Sequence, residues 1–260
     1  MYYYLYDSEL SDKKYNTVIA KIETRLTDLG INGKINRLSF LKNINQILTE
    51  EIKSGVKTVI VVGDDKTIGQ VINLVADFNI TLGLIPLGPN NNIARLLGVP
   101  LGEDACDVIS SRIIKKIDLG KINNHYFLTD LIISGKNITL ECDNNYFINL
   151  SEGNNIIDIG NLNYCYGSPT DPLDGQLDIF IENAQKKFLR KTKSTLSHFK
   201  NAVLKITGDK TVPILITDEK RIVKTPAEVT IVPKKLKIIV GKGRYFWKYL
   251  KTPALKSWGF

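Results

Sequence analysis

Short β-branched runs along the first part of the chain alternate with stretches whose apolar residues fall three and four positions apart. Residues 13–28, "KKYNTVIAKIETRLTD", place Val18, Ile19, Ile22 and Leu26 at helical spacing. "YYYLYD" before them and "GKINRLSF" after them read as strands, and a helix is predicted around residues 43–53. In "VIVVGDDKTIGQVINLV", residues 59–75, a buried strand gives way to a turn at Gly63 and a helix running from Thr67 to about Asp77. A second buried strand, "LGLIPL", leads to a helix beginning near Asn91. Alternation at this spacing predicts βαβ units, a mostly parallel sheet, and ligands at the carboxyl ends of its strands.

After residue 112 the period changes from helical to two-fold. "KKIDLGKINNHYFLTDLIISG" is two alternating segments around an Asn-Asn turn, a hairpin pattern. Further alternating runs occur at "TLECDNNYFINL", "QLDIFIE", "AVLKIT", "PILITDEKRIV" and "AEVTIVPKKLKIIV". The expected fold class is therefore α/β: an N-terminal α/β domain over residues 1–112, completed by 239–260, plus an antiparallel β-rich domain over 113–238. No sheet is expected to run through both halves.

Composition narrows the classes. The 260 residues suffice for a sizeable core, and no apolar stretch is long enough to span a bilayer. The start, "MYYYLYDSELSDKKY", lacks the pattern of a secretory signal, so a cytoplasmic protein is expected. Cys106, Cys142 and Cys165 form no CxxC pair and have only His125 and His198 for company, which predicts reduced core thiols rather than a zinc site or disulfides. The net charge of +8 points to an anionic partner. The span from Lys186 to Lys205 carries Lys186, Lys187, Arg190, Lys191, Lys193, Lys200 and Lys205 without an acid. Its Phe188, Leu189, Leu196 and Phe199 recur at helical spacing. That pattern suits either contact with an anionic membrane or a solvated face on a core-packed helix. Trp247, Tyr249 and Trp258 in the tail suit docking onto the first domain or interfacial anchoring. Nucleic-acid binding rests on charge alone and is not expected.

The chemistry concentrates in two loops, "GDDKT" at 63–67 and "PLGPNNNIA" at 86–94. Together they resemble the GGDGT and PLGTGN(D)xA loops of the diacylglycerol kinase and sphingosine kinase family, including its bacterial lipid kinases. Gly63, Asp65 and Thr67 match the first loop, and Pro86, Leu87, Gly88, Asn91 and Ala94 match the second. "DGQLDIFI" and "TDEKRIVKTP" resemble two later segments of the family, the second being its DGE segment. NAD kinases share the Asp-Gly phosphate loop, but the second loop looks like the lipid branch.

The resemblance implies a lipid kinase that uses ATP and Mg²⁺ on a lipid substrate, with peripheral contact at the inner membrane face; a homodimer is compatible with it. It implies nucleotide contacts from Gly63, Asp64, Asp65, Lys66, Thr67, Gly88, Asn90 and Asn91. Glycines there let backbone amides approach phosphate, and the helix start adds donors. It implies Asp65 and Glu219 as catalytic residues, and Asp65, Asp174 and Asp178 as metal ligands. Asp64 and Lys66 replace glycines, however, and Pro89 removes a hydroxyl and an amide donor. The same residues suit plain helix caps, with Asp64 and Asp65 capping one and the asparagines another. Counting back from Thr225-Pro226 puts Lys220 at the base position, while a one-residue shift restores Glu219. A relative that binds nucleotide or lipid without transfer is the competing expectation.

Overall fold

The computed structural model describes residues 1–38, 44–150, 154–185 and 193–245. Its first part comprises β1 (Tyr2–Tyr6), α1 (Asn16–Asp28), β2 (Lys34–Arg37), α2 (Ile44–Lys53), β3 (Thr58–Gly63), α3 (Asp65–Val75), β4 (Thr81–Pro86), α4 (Asn92–Leu96) and α5 (Ala105–Ser111). The strands lie in the order β2-β1-β3-β4, all parallel. Every residue of β3 and β4 is buried, which explains why both read as unbroken apolar runs: a parallel strand covered on both faces has no solvent side to alternate with. Ile19, Ile22 and Leu26 are the buried stripe of α1.

The second part is built from β5 (Ile114–Ile122), β6 (His125–Phe127), β7 (Asp130–Gly135), β8 (Ile138–Cys142), β9 (Tyr146–Leu150), β10 (Asn154–Gly160), β11 (Tyr164–Cys165), β12 (Ser168–Pro169), β13 (Leu177–Gln185), β14 (Lys193–Asn201), β15 (Val203–Gly208), β16 (Pro213–Ile216), β17 (Arg221–Lys224) and β18 (Ala227–Ile239). A six-stranded antiparallel sheet runs β14-β13-β10-β7-β16-β17. Its inner face, including Leu131, Ile133, Ile157, Ile159 and Ile179, shares a core with Leu140, Leu204 and Ile206 of β8 and β15. A separate apolar core surrounds the parallel strands. Cys106, Cys142 and Cys165 are free and buried, as expected of core thiols.

One feature departs from the expectation of separate sheets. β18 pairs with β15 through its first half and with β4 through its second, and β5 runs beside it along both, so the ten-stranded sheet passes from one core to the other. The register of β18 against β5 shifts between Val232 and Leu236. Pro233 sits in that bulge, where a missing N–H costs no ladder bond, and the Lys234 amide donates to Asp118 Oδ1 at 2.7 Å. Beyond β18 the chain turns back on the parallel sheet, the Gly241 amide donating to Leu97 O at 2.9 Å and Tyr245 packing on the first core.

The helical spacing read in the basic span is corrected by β14, where Leu196 and Phe199 lie. Residue-by-residue pairing with β13 decides the conformation there, over the local pattern. Leu196 is half exposed and Phe199 packs against the second core, as alternation along a strand requires. Lys200 and Lys205 are paired with carboxylates, Lys205 with Glu141 at 3.2 Å. Lys186, Lys187, Phe188, Leu189, Arg190 and Lys191, and the tail with Trp247, Tyr249 and Trp258, lie outside the described residues. No helix among the described residues is long and apolar enough to cross a membrane.

Candidate functional site

The two loops meet at the carboxyl ends of β3 and β4, where the side chains of Asp64, Asp65, Thr67 and Asn91 each have a partner in the protein itself. Asp64 is the N-cap of α3: its Oδ1 accepts from the amides of Lys66 at 3.1 Å and Thr67 at 3.4 Å. These are donors that a helix start would otherwise offer to a phosphate. The Thr67 hydroxyl donates to Asp7 Oδ2 at the end of β1, a residue the sequence reading did not single out. Gly63 is buried close to Asp7, and Gly88, at φ +120°, packs against Asp64.

Asp65 joins the two loops. Its carboxylate accepts from the amides of Asn92 at 2.7 Å and Ile93 at 3.1 Å, capping α4, while its own amide donates to Asn90 O at 2.9 Å. Burial pushes the Asp65 carboxyl up to about 6, the two amides pulling it down and Asp218 and Asp64 adding to the rise. Asn91 donates to Gly88 O at 2.8 Å, bracing the second loop.

Two cavities flank this junction. The larger, about 750 Å³, is lined by Asp65, Pro89, Asn91, Arg95, Val99 and Leu101 among others. The smaller, about 190 Å³, lies where the parallel sheet meets the β-rich part and is lined by Asp65, Lys66, Asn90, Asp130, Asp218 and Lys220, with Thr129 and Thr217. Lys220, in left-handed backbone at φ +55°, lines this cleft together with Thr217 and Asp218 of the same hairpin.

Glu219 is placed elsewhere. Its Oε1 accepts from Asn73 Nδ2 at 2.8 Å and lies 3.0 Å from His125 Nε2, bridging α3 to β6. Gly69 makes the approach feasible, since a Cβ there would lie 2.8 Å from Glu219 Cγ and 3.0 Å from Asp218 Cβ. Asp218 is buried and accepts from the amides of Leu128 and Thr129 and from the Thr129 hydroxyl; its carboxyl is pushed up by burial, against those bonds. Lys220, the residue that the count from Thr225-Pro226 puts at the base position, lines the cleft, while Glu219, the residue of the shifted alignment, lies against Asn73 and His125.

Asp130, the first residue of β7, also lines the cleft and was missed. It is 5% exposed, accepts from Thr217 Oγ1 at 2.7 Å, and is pushed up to about 7, chiefly by burial and then by Asp158. A signal was available: in "TDLIISG" it is a charge opening a strand whose Leu131 and Ile133 are core.

Asp174 and Asp178 lie apart from the cleft, at the turn into β13, where both face the Lys200 ammonium. Among the described residues no group of three or more His, Cys, Asp or Glu side chains could hold a metal ion.

A parallel α/β sheet whose loops face a β-rich part across a polar cleft is the fold of bacterial diacylglycerol kinases. A crystal structure of such a protein from Bacillus anthracis superposes with a TM-score of 0.77 at 20% identity, over 94% of this chain and 98% of that one. Residues 3–122 match the family described as the diacylglycerol kinase catalytic domain. Over 74 residues the chain is 39% identical to the diacylglycerol kinase of Bacillus subtilis, covering 27% of this chain and 24% of that protein. Over 80 residues it is 36% identical to the diacylglycerol kinase of Staphylococcus haemolyticus, covering 30% of this chain and 24% of that protein. The matched segment spans about a quarter of the length of these curated relatives.

Proposed function

We propose that the chain is a diacylglycerol kinase relative that binds ATP beside the second loop and does not transfer its γ-phosphoryl group to a lipid hydroxyl. The observation that carries this reading is the exchange at the hairpin: a lysine, Lys220, lines the cleft, while Glu219 is held by Asn73 and His125. An ammonium cannot take a proton from a hydroxyl at neutral pH. The first loop supports the same reading, because Asp64 occupies the amides of Lys66 and Thr67 and sets a negative charge where phosphate would sit. Both Asp65 oxygens accept amides of the second loop, one each, which leaves a lone pair on each for Mg²⁺. The larger cavity, with Asn91, Arg95 and Val99, suits the base and ribose of a nucleotide.

The test pairs calorimetric titration of ATP with radiolabelled transfer to mixed lipids that include diacylglycerol. Binding without labelled lipid is expected. Labelled lipid would overturn the reading, and absence of binding would remove its nucleotide part.

A second reading, an active ATP-dependent lipid kinase, is favoured by Asp130: a buried carboxylate on the cleft, with its pKa pushed up to about 7, suits the task of accepting the hydroxyl proton. Under it, Asp130→Asn abolishes lipid labelling and leaves ATP affinity within a few-fold. Contact with an anionic membrane belongs to this second reading, and salt-reversible sedimentation with anionic vesicles tests it.

A further inference from the structure

The family resemblance implies a structural Mg²⁺ at Asp174 and Asp178, and the side chains present do not fit one. Lys200 stands directly opposite Asp178 in the β13–β14 ladder. Its Nζ donates to Asp174 Oδ2 and lies 3.6 Å from Asp178 Oδ2. Asp178 is 3% exposed, and its other oxygen lies 2.8 Å from His198 Nε2. Since Oδ2 of Asp178 has no hydrogen-bond partner among the described residues, the Lys200 ammonium is the charge that balances it. Asp171, half-buried nearby, is pushed up by burial and then by Asp174, with Lys200 drawing it down. A divalent ion needs these oxygens at about 2.0–2.6 Å, and it would meet the ammonium in the same space.

We propose that Lys200 is a built-in cation that takes the place of a divalent ion at the Asp174–Asp178 turn and fastens that turn to the β13–β14 hairpin without metal. The proposal is independent of whether the cleft transfers phosphoryl groups. It makes Lys200, a member of the basic span, a structural residue rather than part of a surface for anionic partners.

The experiment is thermal unfolding of the full chain in EDTA, in millimolar MgCl₂ and in millimolar CaCl₂. The wild-type Tm is expected to be the same in all three. Lys200→Gln leaves the carboxylates unbalanced and is expected to lower the Tm by about 2–4 °C in EDTA. Mg²⁺ or Ca²⁺ should restore much of that loss, and the restoration should vanish when Asp174→Asn is added. Lys200→Arg should behave as wild type. A wild-type Tm that falls in EDTA and recovers with Mg²⁺, with the response lost in Asp174→Asn, would overturn the proposal by showing that the turn takes the ion itself. So would a Lys200→Gln protein with unchanged Tm. Should Lys200→Gln fail to fold, titration of MgCl₂ alone into wild type and Asp174→Asn decides: equal heats are expected, and a heat present only in wild type overturns the proposal.

Discussion

The loop junction and the hairpin of Asp218, Glu219 and Lys220 both use an aspartate to stitch one chain segment to another, and they use it to different ends. At the junction, Asp65 accepts two amides from the start of α4, so a residue of the first loop fixes the second. In the hairpin, Asp218 accepts the amides of Leu128 and Thr129, so a turn of the β-rich part fixes the edge of the cleft. The first stitch retains the family's aspartate in its expected loop. The second determines which neighbour reaches the cleft: with Asp218 turned inward, Glu219 falls on one side, against α3, and Lys220 on the other. A motif can thus keep its backbone geometry while the chemistry it presents changes by one position.

The largest test of this contrast is Asp218→Ala. It leaves two buried amides without acceptors, at roughly 1–3 kcal/mol each, so urea melts should show a loss of about 2–6 kcal/mol. Gly69→Ala comes next: the added methyl must displace Glu219 and Asp218, costing roughly 1–3 kcal/mol against a helix-propensity gain of about 1 kcal/mol. Adding Glu219→Ala should relieve much of the clash, so the two changes are expected to be non-additive in a double-mutant cycle.

Asp130→Asn sharpens the electrostatic side. The carboxyls of Asp130 and Asp65 are raised to about 7 and about 6, so the folded state holds their protons more tightly than the unfolded state does. Their contribution to stability is fully present below about pH 4 and is lost as pH rises through 6 to 7. Asp130→Asn, which keeps an acceptor for Thr217, should therefore stabilise the protein at about pH 8, by on the order of 1–4 kcal/mol, and hardly at about pH 4. Melts across that range give the sign directly. The smallest effect is expected from Asp64→Ala, a lost N-cap of about 1 kcal/mol. The same change frees the Lys66 and Thr67 amides, and ATP titration should show tighter binding than in wild type.

Much of the first part was legible because its signals are local. The buried runs of β3 and β4 and the stripe on α1 each arise within one element, and Gly88, at φ +120°, marks a turn through its own backbone demand. The β-rich part was legible as strands but not as a site. Whether Glu219 or Lys220 meets the cleft depends on which amides Asp218 finds, a contact across some ninety positions of sequence. Likewise Leu196 and Phe199 suit a helix until β13 is beside them. Asp130 was passed over for the same kind of reason: its role depends on Lys66 arriving from α3 and on Thr217 and Lys220 arriving from the β16–β17 hairpin.

The passage of β18 through both cores bears on how the molecule comes apart. Its first half is buried among the strands of the β-rich core and its second half beside β4, with β5 alongside throughout. Neither core can lose this strand and keep its own ladder, so the two share one cooperative unit rather than melting in turn. Amides of β5 and β18 should then exchange only through global opening, with calorimetry giving a single transition whose van't Hoff and measured enthalpies agree.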